Sequence, residues 1–149
     1  QLDVQLTPLA VANMMAAISR GGSKYQVKAV QAIEYETGGT FYHFPDEPLE
    51  GDSISPYTAY QLQQLLRGVV THGTAQSLKD APHTVAGKTG TAQVDLGEIR
   101  EHRWFAGFFP AEKPRYAFCV LILNQEPGQP NGAVELTRDL LTVMDEQEK

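Results

Sequence analysis

The run Tyr116-Ala117-Phe118-Cys119-Val120-Leu121-Ile122-Leu123 is apolar at odd and even positions alike. A strand with one wetted face alternates polar with apolar residues, so a strand of this kind has to be covered on both sides. Helices can supply the cover. Asn131 can cap a final helix in which Ala133, Leu136, Leu140, Val143 and Met144 share a face. Cys119, inside the run, reads as a small buried hydrophobe, and as the only cysteine it excludes an intrachain disulfide.

Two further helices announce themselves by their first residues. Thr7 can cap free N–H groups, Pro8 suits the first helical position, and Leu6 is placed to staple onto Val11. Val11, Met14, Met15 and Ile18 then recur at helical spacing until Gly21-Gly22 stops the helix. Ser55-Pro56 repeats the signature, with Ala59, Leu62, Leu65, Leu66 and Val69 as the apolar face and an end near Gly73. Between these helices, the mixed stretch Val27 to Glu36, the turn Thr37-Gly38-Gly39 and the return Thr40-Phe41-Tyr42-His43-Phe44 predict a β-hairpin. Pro45 to Asp52, with two prolines and four acids, reads as a solvated polar loop.

Three strands follow: Thr84-Val85-Ala86 running into Gly87–Gln93, then Trp104–Phe109, then Arg115–Leu123, with Pro110–Pro114 connecting the last two. Trp104 and Phe105 read as sheet core. The order of helix, hairpin, helix, three strands and helix gives an α+β class, an antiparallel sheet covered by helices. No repeat, low-complexity tract or linker divides the chain, so residues 1–149 are expected to form a single domain or part of one.

Composition narrows the function classes. A 149-residue chain with 42% hydrophobic residues buries roughly 70% of its unfolded surface, enough for a core without disulfides or metal. A net charge of −6 and no dense Lys/Arg stripe argue against nucleic-acid binding. Gln1-Leu2-Asp3-Val4 has no basic region of a signal peptide, and no segment approaches ~18 consecutive apolar residues. A membrane anchor, if there is one, is expected outside these residues.

The most informative run is Val85-Ala86-Gly87-Lys88-Thr89-Gly90-Thr91-Ala92-Gln93. Two glycines weaken a strand unless something approaches its backbone closely. Gly87 and Gly90 would let a substrate lie against the strand, the hydroxyls of Thr89 and Thr91 can hydrogen-bond a carboxylate, and Lys88 supplies positive charge. The alternative is an exposed lysine with glycines at a bulge, which a bare Lys-Thr-Gly allows. Gly87-Lys88-Thr89 is also the end of a phosphate-binding loop, but the first glycine of such a loop would stand where Pro82 is, and Gly90 disfavours the helix that must follow.

Lys-Thr-Gly is also the third signature element of the penicillin-recognising serine acyltransferases. Its neighbours are Leu6-Thr7-Pro8-Leu9 with an Ala/Met-rich helix to Gly21-Gly22, Leu66-Arg67-Gly68-Val69-Val70-Thr71-His72-Gly73-Thr74-Ala75, and His102-Arg103-Trp104-Phe105-Ala106-Gly107-Phe108-Phe109-Pro110-Ala111. In this order they resemble the C-terminal half of a class B penicillin-binding protein transpeptidase domain, over nearly the whole chain. The resemblance implies a partial penicillin-binding-protein/β-lactamase-like fold and a peptidoglycan D,D-transpeptidase that acts by serine acyl transfer. It places Lys88 in the catalytic polar network, Thr89 at the terminal carboxylate of a D-Ala-D-Ala stem peptide or a β-lactam, Gly90 and Thr91 among the substrate-binding residues, and the Thr91 N–H in the oxyanion hole. It implies no metal or cofactor, and a site at the outer face of the bacterial cytoplasmic membrane.

The family's nucleophile lies in Ser-x-x-Lys and its second element in Ser-x-Asn. Ser19, Ser23, Ser53, Ser55 and Ser77 match neither. Cys119 is expected to be buried, His102 reads as a surface or structural histidine, and His43, His72, His83 and His102 lack metal-ligand spacing. The family would be in mid-domain at Gln1, so the chain is expected to be a fragment that is inactive alone, with its nucleophile upstream. Such a piece should expose an unpaired edge or an apolar face and associate with itself. A non-catalytic peptide- or protein-binding module of the same fold, or a β-lactamase-type sensor or hydrolase, are the other readings.

Overall fold

The computed structural model describes residues 5–95 and 97–147. Gln1–Val4, on which the mid-domain opening and the signal-peptide reading rest, lie outside them.

Both cap-and-proline signatures start helices. Thr7 Oγ1 accepts from Ala10 N at 3.1 Å and opens α1 (Pro8–Ser19); Ser55 Oγ accepts from Thr58 N at 3.1 Å and opens α2 (Pro56–Thr71). The Gly22 N–H closes α1 on the Ala17 carbonyl at 2.8 Å. Asn131 Oδ1 accepts from Ala133 N at 3.0 Å and starts α3 (Gly132–Gln147). Between α1 and α2 lie two small antiparallel pairs, β1 (Ser23–Tyr25) with β4 (Pro48–Asp52), and β2 (Ala32–Glu34) with β3 (Thr40–His43). The second pair is the expected hairpin, turned at Gly38 and Gly39, both at positive φ.

The main sheet has the order β5 (Ala86–Asp95), β6 (Ile99–Phe109), β7 (Tyr116–Gln125), antiparallel throughout. Its faces carry separate apolar clusters, as alternation along β6 requires. Phe105 and Phe109 pack with Phe118, Val134 and Leu141 on the α3 side, whereas Ala106 and Phe108 pack with Met15 on the α1 side. α2 serves both clusters, Leu66 on one side and Val70 on the other, and so sits beside the beginning of β5. Helices therefore cover β7 on both faces. No described helix is long and apolar enough to cross a membrane.

Several expectations are corrected. Pro48–Asp52 is a strand, not loop, because the distant β1 pairs with it in the register Ser23↔Asp52 and Tyr25↔Pro48; its side chains are nonetheless exposed. Leu6 is 53% exposed, and Met14 and Leu65 face outward. In α3 the buried residues are Ala133, Val134, Thr137 and Leu141, with Met144 half-buried, while Leu136, Leu140 and Val143 form an exposed stripe. Thr137 tolerates burial because its hydroxyl donates to the Ala133 carbonyl at 2.7 Å. Cys119 is half-buried rather than buried, and that burial pushes its thiol pKa up.

Candidate active site

The Lys-Thr-Gly segment lies in the middle of β5, hydrogen-bonded to β6 in the register Lys88↔Ala106, Thr89↔Phe105, Gly90↔Trp104, Thr91↔Arg103. Among the described residues no strand pairs the other edge of β5. Every second residue of an antiparallel strand directs its N–H and C=O away from its neighbour, so that edge turns backbone donors and acceptors outward. No helix follows Gly87-Lys88-Thr89, which removes the phosphate-loop alternative.

Residues opposite one another on paired strands share a face, so Lys88 and Gly90 look toward α1, and Thr89 and Thr91 toward α3. Lys88 is exposed, and its Nζ turns to the strand edge, donating to the Thr89 carbonyl at 2.8 Å and reaching Thr89 Oγ1 at 3.4 Å. Thr89 Oγ1 shares a second hydrogen bond with Thr74 Oγ1 at 2.7 Å. Thr91 Oγ1 accepts from Arg103 Nη1 at 3.2 Å, and Arg103 is in turn ion-paired with the buried Glu101. The structure thus gathers Lys88, Thr89, Gly90 and Thr91 on one strand edge and supplies partners, Thr74 and Arg103, that the sequence reading did not single out.

Beside this edge is an open cleft of about 360 Å³ lined by Leu6, Val11, Met15, Lys88, Thr89, Gly90, Ala92, Trp104 and Ala106. Its lining is apolar apart from Lys88 and Thr89. Trp104 belongs to this lining and is only half-buried, so its assignment to the sheet core is corrected; Phe105, fully buried, does belong to the core. A glycine at 90 keeps the cleft open, since a Cβ there would sit 3.2 Å from Trp104 Cβ. Gly87 has another cause. Its Cβ would lie 2.7 Å from the Ala106 carbonyl oxygen and 2.8 Å from Phe105 Cζ, so packing within the sheet, and not approach of a substrate, requires glycine there.

The α2 helix fixes where β5 begins. Arg67 Nη1 donates to the Val85 carbonyl at 3.0 Å, and Thr84 Oγ1 donates to the Glu112 carboxylate across the sheet end. That hydrogen bond, with the Arg67 charge adding to it, holds the Glu112 pKa below the ordinary carboxylate value. His102 is structural: its Nδ1 accepts from Asn124 N at 3.2 Å, where Asn124 adopts a left-handed conformation at the β6–β7 register shift. Among the described residues no group of three or more His, Cys, Asp and Glu side chains could hold a metal ion.

Comparison with known proteins gives the same family from three directions. The family model described as penicillin binding protein transpeptidase domain matches residues 3–141. The chain is 32% identical over 130 residues to the peptidoglycan D,D-transpeptidase PbpA of Mycobacterium tuberculosis, covering 83% of this chain and 25% of that protein. To the peptidoglycan D,D-transpeptidase MrdA of Haemophilus influenzae it is 29% identical over 146 residues, covering 85% and 22%. The structure of penicillin-binding protein A from M. tuberculosis as an imipenem acyl-enzyme complex superposes with a TM-score of 0.79 at 26% identity, covering 96% of this chain and 32% of that one. The chain spans about a quarter of the length of the curated relatives it matches.

Proposed function

The chain belongs to the penicillin-binding protein transpeptidase family, and from that premise we propose that residues 1–149 supply the Lys-Thr-Gly wall of a peptidoglycan D,D-transpeptidase site. They are one part of a single transpeptidase domain, and the serine nucleophile lies elsewhere in the protein. The carrying observation is the coincidence of Lys88 and Thr89 at a strand edge that no described strand pairs, with an open cleft beside it. No Ser-x-x-Lys occurs in residues 1–149.

In this reading the serine oxygen attacks the carbonyl of the penultimate D-Ala, the bond to the terminal D-Ala breaks, and that residue leaves as a free amine carrying the proton. The amine of a second stem peptide then displaces the serine, forming the cross-link and returning a proton to the serine oxygen. Thr89 receives the terminal carboxylate, Gly90 lets the substrate lie against the strand, and Lys88 contributes charge to the polar network around the nucleophile. The Thr91 N–H meets the tetrahedral oxyanion, where loss of one such donor typically costs ~10²–10³ in rate. A β-lactam presents a carboxylate and a strained carbonyl to the same groups, as the imipenem complex of the M. tuberculosis relative supports. The site then works at the outer face of the bacterial cytoplasmic membrane, where stem peptides are displayed.

The test is acylation of the full-length protein by penicillin G. Lys88→Ala is expected to slow it by ~10²-fold or more while leaving the unfolding midpoint near that of the wild type, since Lys88 is exposed. Unchanged acylation would remove Lys88 from the site.

A further inference from the structure

Thr74 does not line the cleft, yet its hydroxyl oxygen lies 2.7 Å from that of Thr89, which does. The segment that carries it is fixed. A Cβ at Gly73 would lie 2.8 Å from both the α-carbon and the carbonyl oxygen of Val69, so only glycine permits the chain to turn so closely off the end of α2. Immediately afterwards Ala75 N donates to the Val69 carbonyl at 3.1 Å, and Ala75 and the Leu78 that follows in a short 3-10 helix are completely buried. Thr74 is thus an exposed side chain on a backbone bolted to the core at both sides.

Each hydroxyl has one proton to donate. If Thr89 donates to Thr74, its proton is not available to an incoming anion; if Thr74 donates to Thr89, the Thr89 proton is available to an anion at the outer edge of β5. Lys88 Nζ, 3.4 Å from Thr89 Oγ1 and 2.8 Å from the Thr89 carbonyl, approaches the same oxygen and favours its acting as acceptor there. A carboxylate accepts only, so its arrival selects the second arrangement. We infer that Thr74 is a positioning residue for anion recognition: it donates to Thr89 Oγ1, which thereby turns its own O–H toward the carboxylate of the stem peptide or β-lactam. This rests on the transpeptidase reading above.

The experiment measures second-order acylation of the full-length protein by penicillin G in the wild type, Thr74→Val, Thr74→Ser, Thr89→Ala and the Thr74→Val/Thr89→Ala double variant. Thr74→Val, near-isosteric without the donor, is expected to lower the rate about fivefold, the worth of one net hydrogen bond. Thr74→Ser keeps the hydroxyl and should return the rate to within about twofold of the wild type. In the Thr89→Ala background Thr74→Val should change it by less than about twofold, because the two act as one unit. Wild-type rate in Thr74→Val, a serine variant as slow as the valine one, or penalties that multiply in the double variant would each overturn the positioning role and leave the transpeptidase reading standing. A full-length wild type that penicillin G does not acylate would overturn both.

Discussion

Arg67 and Val85 meet side chain to backbone: a guanidinium nitrogen on α2 donates to the carbonyl of the buried residue that leads into β5, across 3.0 Å. This contact sets the position of the Lys-Thr-Gly strand relative to the helix whose C-terminal end delivers Thr74. Arg67→Met keeps the apolar stem and leaves the carbonyl unsatisfied, which should cost ~1–3 kcal/mol of stability. Chemical denaturation of wild type and variant checks it; equal midpoints would show that the carbonyl finds another donor.

The two glycines of β5 should respond differently to the same added methyl. Gly87→Ala drives a Cβ into the Ala106 carbonyl and the Phe105 ring, and should destabilise the fold by ~1–3 kcal/mol or more. Gly90→Ala meets only Trp104 Cβ at 3.2 Å on the cleft side, so it should cost less stability and act mainly on β-lactam acylation. Paired unfolding and acylation measurements separate the two. Equal stability loss at both positions would contradict the packing explanation for Gly87.

Glu112 carries a pH dependence whose sign follows from its hydrogen bond with Thr84. The folded carboxyl has its pKa lowered from 4.5, so the stabilisation it contributes is fully present above that value and is lost as pH falls through the folded pKa. The difference in unfolding midpoint between wild type and Glu112→Gln should therefore be complete at neutral pH and shrink as the solution is acidified below 4.5. A difference that stays constant through this acid range would assign the effect of the substitution to shape and not to charge.

What the sequence disclosed was largely what local chemistry decides. Thr7, Ser55 and Asn131 each cap a helix with the oxygen that their residue type brings, and Lys88 to Thr91 sit together because they are consecutive. The errors share a different origin. β4 forms only because a distant strand pairs with it, and its own exposed polar residues give no periodic signal. The buried face of α3 was misplaced because hydrophobic spacing counts Leu136 and Leu140 but cannot see that Thr137 satisfies its hydroxyl on Ala133 and goes inside. Thr74 stands 15 residues from Thr89 across a turn and a 3-10 helix, so their contact is a product of the fold. Trp104 faces the cleft because its parity along β6 is that of Ala106, whereas Phe105 has that of Phe109.

The most direct measurement is the intact mass of the full-length protein and of the polypeptide 1–149 after incubation with penicillin G, followed by peptide mapping of any adduct. The expected result is a covalent adduct on the full-length protein, mapped to a serine outside residues 1–149, and none on the shorter polypeptide. An adduct on any residue within 1–149, or a full-length protein that forms none, would contradict the assignment of these residues as the Lys-Thr-Gly wall of a serine transpeptidase.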